Sequence, residues 1–193
     1  MWNIKKLTGI IMIFAGVSII GSAAFMKYQV YKNQKDIIRG FQNIVDKPSS
    51  EKAKKPENII IDNKNIIGII EIPKIKLEAG IAEGVELESL KYAVGHFSGT
   101  ALPGKKGNFC LAGHRSYTYG EFFNRLDELE AGDEIIIKTN SNKYKYEVYE
   151  KKIVEPTEVS VLDSTETATI TLVTCTPIRV ATHRLIVKGK LKE

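Results

Sequence analysis

Cys175 and Arg184 lie at the facing ends of two predicted strands that a short turn connects. The stretch Thr169–Lys190 reads TITLVTCTPIRVATHRLIVKGK, and its density of Val, Ile and Thr favours strands over helices. The proline after Thr176 has no N–H to donate to a sheet, so the first strand should stop near Thr176. The second strand should begin at His183. A thiol and a guanidinium would then lie at the ends of two strands that can be neighbours in a sheet.

Cys175 can be interpreted in two ways. A free cysteine in a strand is often a small buried core residue, and this is the simpler alternative. A strand end beside a cation favours a nucleophile instead. The thiolate is the reactive form, and an ordinary pKa of about 8.5 leaves only a few per cent of a thiol ionised at pH 7. A nucleophilic Cys175 therefore needs a proton acceptor, and Arg184 cannot be one, so a histidine is required.

His114 is the histidine that could take this proton. It follows the apolar segment Asn108–Gly113 (NFCLAG) and precedes a polar, aromatic loop. Taken alone, a histidine at a strand end is more simply a surface residue. With an ordinary pKa near 6.5, however, its imidazole is well suited to move protons at neutral pH. A thiolate that attacks, an imidazole that protonates a leaving amine and a cation that stabilises an oxyanion are together what acyl transfer requires.

The segment from residue 57 onward predicts the strands that would carry these side chains. Beyond the two strands of Thr169–Lys190, alternating or continuous apolar runs predict strands at Ile66–Ile72, Leu77–Ala82, Asn108–Gly113, Glu134–Lys138 and Tyr144–Val154. Val85–Tyr92 reads as a short helix or turn. Glu121–Leu129 has Phe122, Leu126 and Leu129 at helical spacing, which predicts an amphipathic helix. This spacing of short strands predicts an all-β fold, a closed β-barrel of seven or eight strands with short helices.

The N-terminus predicts a membrane anchor. Residues Leu7–Met26 contain no charged side chain, and about 20 such residues span the hydrocarbon core of a bilayer. Lys5 and Lys6 precede the run as in a secretory signal, and small residues at 21–24 leave a cleaved signal peptide as the alternative. Because the apolar run exceeds the usual signal core, we favour an uncleaved anchor. The predicted domains are residues 1–26 (cytoplasmic tip and transmembrane signal-anchor), 27–56 (basic stalk and linker) and 57–193 (catalytic β-barrel).

Charge is distributed unevenly between these domains. Residues 27–56 hold eight Lys or Arg against three Asp or Glu, whereas residues 57–193 hold 18 basic and 20 acidic side chains. A nucleic-acid-binding head is disfavoured, because such heads concentrate Lys and Arg. Counted by the positive-inside tendency, the stalk charge would put the C-terminal side in the cytoplasm, while the signal-like start argues the opposite. The first half of the stalk could continue the anchor as a helix, and its second half, from Asp46 to Pro56, reads as a flexible linker.

The remaining candidate residues are few. Two cysteines, Cys110 and Cys175, do not make a disulfide framework, and three scattered histidines do not predict a metal site, so no cofactor or metal is expected. Cys110 is expected in the core, with a Cys110–Cys175 disulfide as an open alternative. Thr174 is expected to be structural. Arg179, which lies within the turn, is the alternative to Arg184 as the arginine of the site.

Four segments carry a resemblance to a known family. These are LAGHR at Leu111–Arg115, TLVTC at Thr171–Cys175, HRLIV at His183–Val187, and the loop GHFSGTALPGKKGN at Gly95–Asn108. Each segment is weak alone. The first three follow one another in this order on predicted strands behind an N-terminal anchor, and together they make the chain from about Ile66 to Leu191 resemble a sortase, a membrane-anchored cysteine transpeptidase of Gram-positive cell surfaces.

The resemblance implies a specific chemistry. His114 would be the general acid and base, Cys175 the nucleophile, and Arg184 the group that orients substrate or stabilises the oxyanion. Such enzymes cut a Leu-Pro-x-Thr-Gly-like sorting signal of secreted surface proteins between Thr and Gly, forming a thioester that a cell-wall amine then resolves. The head would lie outside the membrane. The chain shows no hydrophobic C-terminal span and no Asp-Pro-aromatic string, which is unlike typical pilin-polymerising sortases. The TCTP turn and the compact connection from Cys175 to Arg184 look most like class D, with class A as runner-up. Glu83, Glu86 and Glu88 could bind calcium as in some relatives, although a solvated face is the simpler interpretation.

Two other functions stay open at this level. A cysteine protease on a two-barrel fold also has its histidine before its cysteine, but such enzymes usually need a longer chain and a glycine beside the nucleophile. A non-enzymatic alternative is an inactive anchored module that binds peptides. The joint presence of Cys175, His114 and Arg184 argues against it.

Overall fold

The computed structural model describes residues 4–46, 59–61, 64–115 and 122–192. In these ranges two α-helices and nine β-strands form. The helices are α1 (Ile4–Asp46) and α2 (Leu87–Leu90). The strands are β1 (Ile59–Ile61), β2 (Lys64–Ile72), β3 (Leu77–Glu83), β4 (Val94–His96), β5 (Gly107–Ala112), β6 (Glu134–Lys138), β7 (Lys143–Val154), β8 (Ala168–Thr176) and β9 (His183–Leu191). Single 3₁₀ turns lie at Pro73–Ile75, Leu126–Glu128 and Val159–Leu162.

The strands close into a barrel. The order in the sheet is β1-β2-β3-β4-β5-β8-β9-β7-β6, and β2 also pairs with β6. Strands β2 to β9 therefore make a closed barrel of eight strands, and β1 adds a short strand beside the start of β2. All pairs are antiparallel except β3 with β4 and β5 with β8. The predicted all-β closed barrel is confirmed, and the two-barrel alternative does not fit this single barrel.

Alternation along each strand separates the barrel interior from its outer face. In β8, Ile170 and Leu172 join the interior core, while Thr171 and Cys175 belong to the opposite set. The interior is filled mainly by aliphatic and aromatic side chains from every long strand, among them Ile70, Ile81, Phe109, Leu111, Ile137, Tyr146, Leu185 and Val187. Burying such a side chain stabilises a fold by about 1.5–3 kcal/mol, so this core fixes which way each strand faces.

The predicted amphipathic helix at Glu121–Leu129 is wrong for its described part. Residues 122–125 form turns, and a single 3₁₀ turn follows at Leu126–Glu128. The apolar side chains there are buried as expected, but Phe123 is buried by packing on the backbone of Gly113. A Cβ atom at Gly113 would lie 2.6 Å from Phe123 Cδ2, so only glycine permits this contact. Tertiary packing thus satisfies the apolar residues without a helix.

Helix α1 runs without a break across the predicted border between anchor and stalk. By length and composition it is the one candidate for a membrane span among the described residues. Its apolar side chains between Leu7 and Phe25 are exposed. The expected linker lies largely outside the described residues, since residues 47–58 are not described.

The second half of α1 packs on the barrel. Ile37 and Phe41, each 2% exposed, contact a small cluster on the outer face formed by Ile66, Ile69, Ala82 and Ala93. Gln34 adds polar contacts, because the N–H of Gly80 donates to Gln34 Oε1 at 3.2 Å and Gln34 Nε2 donates to the carbonyl of Tyr92. The stalk helix is therefore packed against the head.

Candidate active site

Cys175 and Arg184 occupy opposing positions on neighbouring strands. In the antiparallel pair of β8 and β9, Cys175 is the direct register partner of Arg184. Side chains at such positions share one face of the sheet with Cβ atoms about 4.5–5.5 Å apart. The predicted end of the first strand near Thr176 is also confirmed, since β8 ends there. Cys175 and Arg184 thus lie side by side at one end of the barrel, on its outer face.

The segment that carries His114 runs beside β8 on the side opposite β9. Ala112 of β5 pairs in parallel with Val173, and the N–H of Gly113 donates to the carbonyl of Val173 at 3.1 Å. The hydroxyl of Thr174 donates to the carbonyl of Gly113 at 2.7 Å, which holds the two strand ends together. Continued beyond the last bonded position, the same register would set His114 beside Cys175. The predicted structural role of Thr174 agrees with this contact.

The electrostatics of the site suit a thiol nucleophile. Cys175 is a free, partly exposed cysteine. Partial burial lowers the pKa of His114, because desolvation disfavours the imidazolium. Arg184 Nη1 donates to the carbonyls of Ala181 (3.1 Å) and His183 (3.0 Å). Among the described residues no carboxylate pairs with Arg184, so its charge is not neutralised within this part of the chain.

Cys110 is separate from this site. It is fully buried under the 3₁₀ turn that ends at Leu162, whose carbonyl lies 3.8 Å from its Sγ atom. Burial raises the pKa of its thiol to about 12. Cys110 pairs with Thr171, and the four residues from Thr171 to Cys175 span about 13 Å of strand. A disulfide needs Cα atoms within about 7 Å, so the Cys110–Cys175 alternative is excluded.

The other histidines are engaged elsewhere. His96 is 2% exposed, with Nδ1 at 2.9 Å from Glu83 Oε2, and His183 Nε2 lies 3.1 Å from Glu155 Oε1. Arg179 is exposed in the turn between β8 and β9. Glu83 also accepts a hydrogen bond from Ser98 at 2.6 Å. Within the described ranges, no three His, Cys, Asp or Glu side chains gather as metal ligands, and Glu83 is held by His96 and Ser98.

The sequence interpretation missed Arg115, which follows His114. Its side chain is only 7% exposed and bridges three segments near the site. The available signal was alternation continued past the strand end, because Arg115 has the parity of Phe109 and Leu111 although β5 itself ends at Ala112. A charged residue at an inward-facing position at a strand end predicts a buried, fully bonded side chain, since an unpaired buried charge is costly.

The chemistry that these three side chains, Cys175, His114 and Arg184, fit together is acyl transfer. By strand register, the Cys175 thiol has the segment that carries the half-buried His114 imidazole on one side. On the other side it has Arg184, which pairs with no carboxylate among the described residues. The imidazole can accept the thiol proton, and the guanidinium can bind a carbonyl oxygen that becomes negatively charged.

Comparisons with known proteins agree on one family. A family model described as "Sortase domain" matches residues 70–192. Sortase D of Bacillus subtilis is 29% identical over 198 residues, covering 96% of this chain and 98% of that protein. Sortase A of Bacillus anthracis is 28% identical, covering 98% of this chain and 95% of that protein. A solved Sortase D5 transpeptidase of Clostridium perfringens superposes with a TM-score of 0.73 at 37% identity, covering 84% of this chain and 99% of the other.

Proposed function

Because this chain belongs to the sortase family of cysteine transpeptidases, we propose that it cleaves a Leu-Pro-x-Thr-Gly-like sorting signal between Thr and Gly. It then transfers the cleaved protein to an amine of peptidoglycan or its precursor. The observation that carries this proposal is the register of three strand ends, in which Cys175 opposes Arg184 and the segment bearing His114 is bonded to Val173.

The first half of the reaction would form a thioester. Cys175 Sγ bonds to the carbonyl carbon of the Thr residue while His114 takes the thiol proton. Arg184 stabilises the negative charge on the carbonyl oxygen. The bond from this carbon to the Gly nitrogen then breaks, and His114 gives its proton to the departing amine. A neutral imidazole is the form needed at the start, and the lowered pKa of His114 favours that form at neutral pH.

The second half would return the enzyme to its starting state. The acceptor amine attacks the thioester carbon and loses a proton to His114, and the bond from carbon to sulfur breaks. The Cys175 thiolate then recovers the proton. Water could replace the amine in this step, giving hydrolysis instead of transfer. The partial exposure of Cys175 allows either nucleophile to reach the thioester, so the balance between them depends on acceptor binding.

Class D is the subclass that we propose. It is supported by the similarity to Sortase D of Bacillus subtilis over nearly the whole of both chains and to the Sortase D5 transpeptidase structure. We further propose that α1 crosses the membrane once, with its first residues in the cytoplasm and the barrel outside. Digestion of intact cells by an added protease tests this topology: the barrel should be cut, and a protected barrel contradicts it.

The decisive experiment uses the full chain in detergent. It is incubated with a library of Leu-Pro-x-Thr-Gly-like peptides and an amine acceptor, and the products are read by mass spectrometry. We expect cleavage between Thr and Gly, a transient adduct on Cys175, and a new amide to the acceptor. Cleavage that yields only the free acid in the presence of acceptor would instead indicate a hydrolase, and an absence of any adduct would support the peptide-binding alternative.

A further inference from the structure

Arg115 lies directly behind the reactive residues. Cys175 belongs to the outer face of β8, whereas Thr176, one residue further along, belongs to the face that looks into the barrel end. Arg115, one residue after His114, donates to Thr176 from that side. Only 7% of the Arg115 side chain is exposed, so its guanidinium presents almost no surface to a substrate at Cys175.

The guanidinium of Arg115 joins three segments of the chain. Nη1 donates to Thr176 Oγ1 at 2.8 Å, and Nε donates to the carbonyl of Asn124 at 3.3 Å. Nη2 forms an ion pair with Asp127 Oδ1 at 2.7 Å. The segment around Asn124 is itself attached to the site, because the N–H of Phe123 donates to the carbonyl of His114 at 3.2 Å. Arg115 thus connects the residue after His114 with the residue after Cys175.

We propose that Arg115 is a positioning residue that fixes the separation between the His114 imidazole and the Cys175 thiol. The main-chain bonds between β5 and β8 end at Gly113 in the described residues, so His114 itself lies beyond the ladder. The bond from Arg115 to Thr176 is the next connection between the same two strand ends. It constrains both reactive side chains from behind, without touching the substrate.

Arginine suits this position better than lysine. Three acceptors lie in different directions around the guanidinium, and its planar fork of five donors can reach all of them at once. A lysine ammonium would keep the charge near Asp127 but could not hold Thr176 and Asn124 together. A shift of about 1 Å between catalytic groups can lower a rate about 10²-fold. The conservative substitution is therefore expected to fail.

The test compares variants of the full chain in detergent, and its kinetic part rests on the proposed transpeptidase function. Arg115→Met should lower kcat about 10²-fold with KM for the peptide nearly unchanged, and Arg115→Lys should not rescue it. Thr176→Val should lower kcat about 10-fold. The kcat of the double variant should be no lower than that of Arg115→Met alone, because both substitutions remove the same hydrogen bond between Arg115 and Thr176. Arg125→Met is the matched control, since Arg125 is half-exposed and pairs with Glu128 away from the strand ends.

A second measurement does not depend on turnover. The chain has three histidines, so ¹⁵N signals of the imidazoles can be assigned by single substitutions. Alkylation of Cys175 with iodoacetamide should shift the His114 signal in the wild type and in Arg125→Met, but much less in Arg115→Met. Wild-type kcat together with a wild-type His114 response in folded Arg115→Met would overturn the proposal. If Arg115→Met does not fold, wild-type behaviour of Thr176→Val in both measurements overturns it.

The two measurements also separate this proposal from the proposed function. A wild-type chain that processes no sorting peptide, yet shows a His114 response that Arg115→Met abolishes, would refute the transpeptidase assignment and support the positioning role. If the wild type is active and Arg115→Met keeps both its kcat and its His114 response, the transpeptidase assignment is supported and the positioning role is refuted.

Discussion

Cys175 of β8 and Arg184 of β9 are direct register partners, nine positions apart in the chain but adjacent across the sheet. The alignment depends on the length of the turn that connects the two strands, because a slip of one residue would move Arg184 to the opposite face. The thiol therefore has a cationic neighbour that no carboxylate neutralises within the described residues.

The two cysteines should behave differently. Cys175→Ala should abolish peptide cleavage, because it removes the proposed nucleophile. Cys110→Ala should retain most activity and lose about 1 kcal/mol of stability, since Cys110 is a buried residue about 13 Å from Cys175 along the strands. Peptide cleavage and thermal unfolding measure the two effects. In the folded wild type, iodoacetamide should modify Cys175 alone, because Cys110 is fully buried with a thiol pKa of about 12. Equal loss of activity in both variants would contradict the assignment.

Arg184 should be needed for turnover and not for folding. Arg184→Ala should lower kcat by about 10²–10³-fold, the range seen when an oxyanion donor is removed. Its far-ultraviolet circular dichroism should stay that of the wild type, because among the described residues its guanidinium donates to the carbonyls of Ala181 in the turn and of its neighbour His183. Arg179→Ala is the matched control and should keep the wild-type rate, since Arg179 is exposed in the turn. A normal rate in Arg184→Ala with a loss in Arg179→Ala would transfer the role to Arg179.

His114 should make the protein less stable in acid. Burial lowers the pKa of His114 in the folded state, so the unfolded chain binds more protons at this position as the pH falls below about 6.5. Through this group, the free energy of unfolding should rise with pH up to about 6.5 and then level off. Urea unfolding in detergent between pH 5 and 8 measures it. The difference in free energy of unfolding between the wild type and His114→Asn should shrink towards low pH and be constant above pH 7. An imidazole that titrates above 6.5 in the folded chain would contradict the burial argument.

The packing of α1 on the barrel depends on a glycine. A Cβ atom at Gly80 would lie 2.5 Å from Ile37 Cγ2, so Gly80→Ala should displace the helix and cost about 1–3 kcal/mol, as overpacking does. Combining it with Ile37→Ala should cost less than the sum of the two single changes, because the smaller side chain makes room. Urea unfolding of the four proteins measures this coupling.

A matched control for this coupling is Lys35→Ala combined with Gly80→Ala, since Lys35 is exposed on the same helix. The effects of these two substitutions on the free energy of unfolding should be additive. Additive costs for Gly80→Ala and Ile37→Ala would mean that α1 does not rest on the barrel at this point.

Most of the barrel could be predicted from local patterns. The strands around Thr169–Lys190 follow from β-branched residues and from a proline that ends β8 at Thr176. The segment at residues 122–129 could not be predicted in the same way. Its apolar spacing fits a helix, but the outcome depends on Phe123 fitting against Gly113, a contact with another strand end.

Local sequence patterns were enough to predict the long strands, the family resemblance and the three side chains whose chemistry fits acyl transfer. Alternation along each strand also determined which residues share a face. The register between strands about 60 residues apart could be learned only from the folded barrel, because that register depends on barrel closure and not on neighbouring residues. It places the segment that carries His114 beside the end of β8, separates Cys110 from Cys175, and brings Arg115 to Thr176.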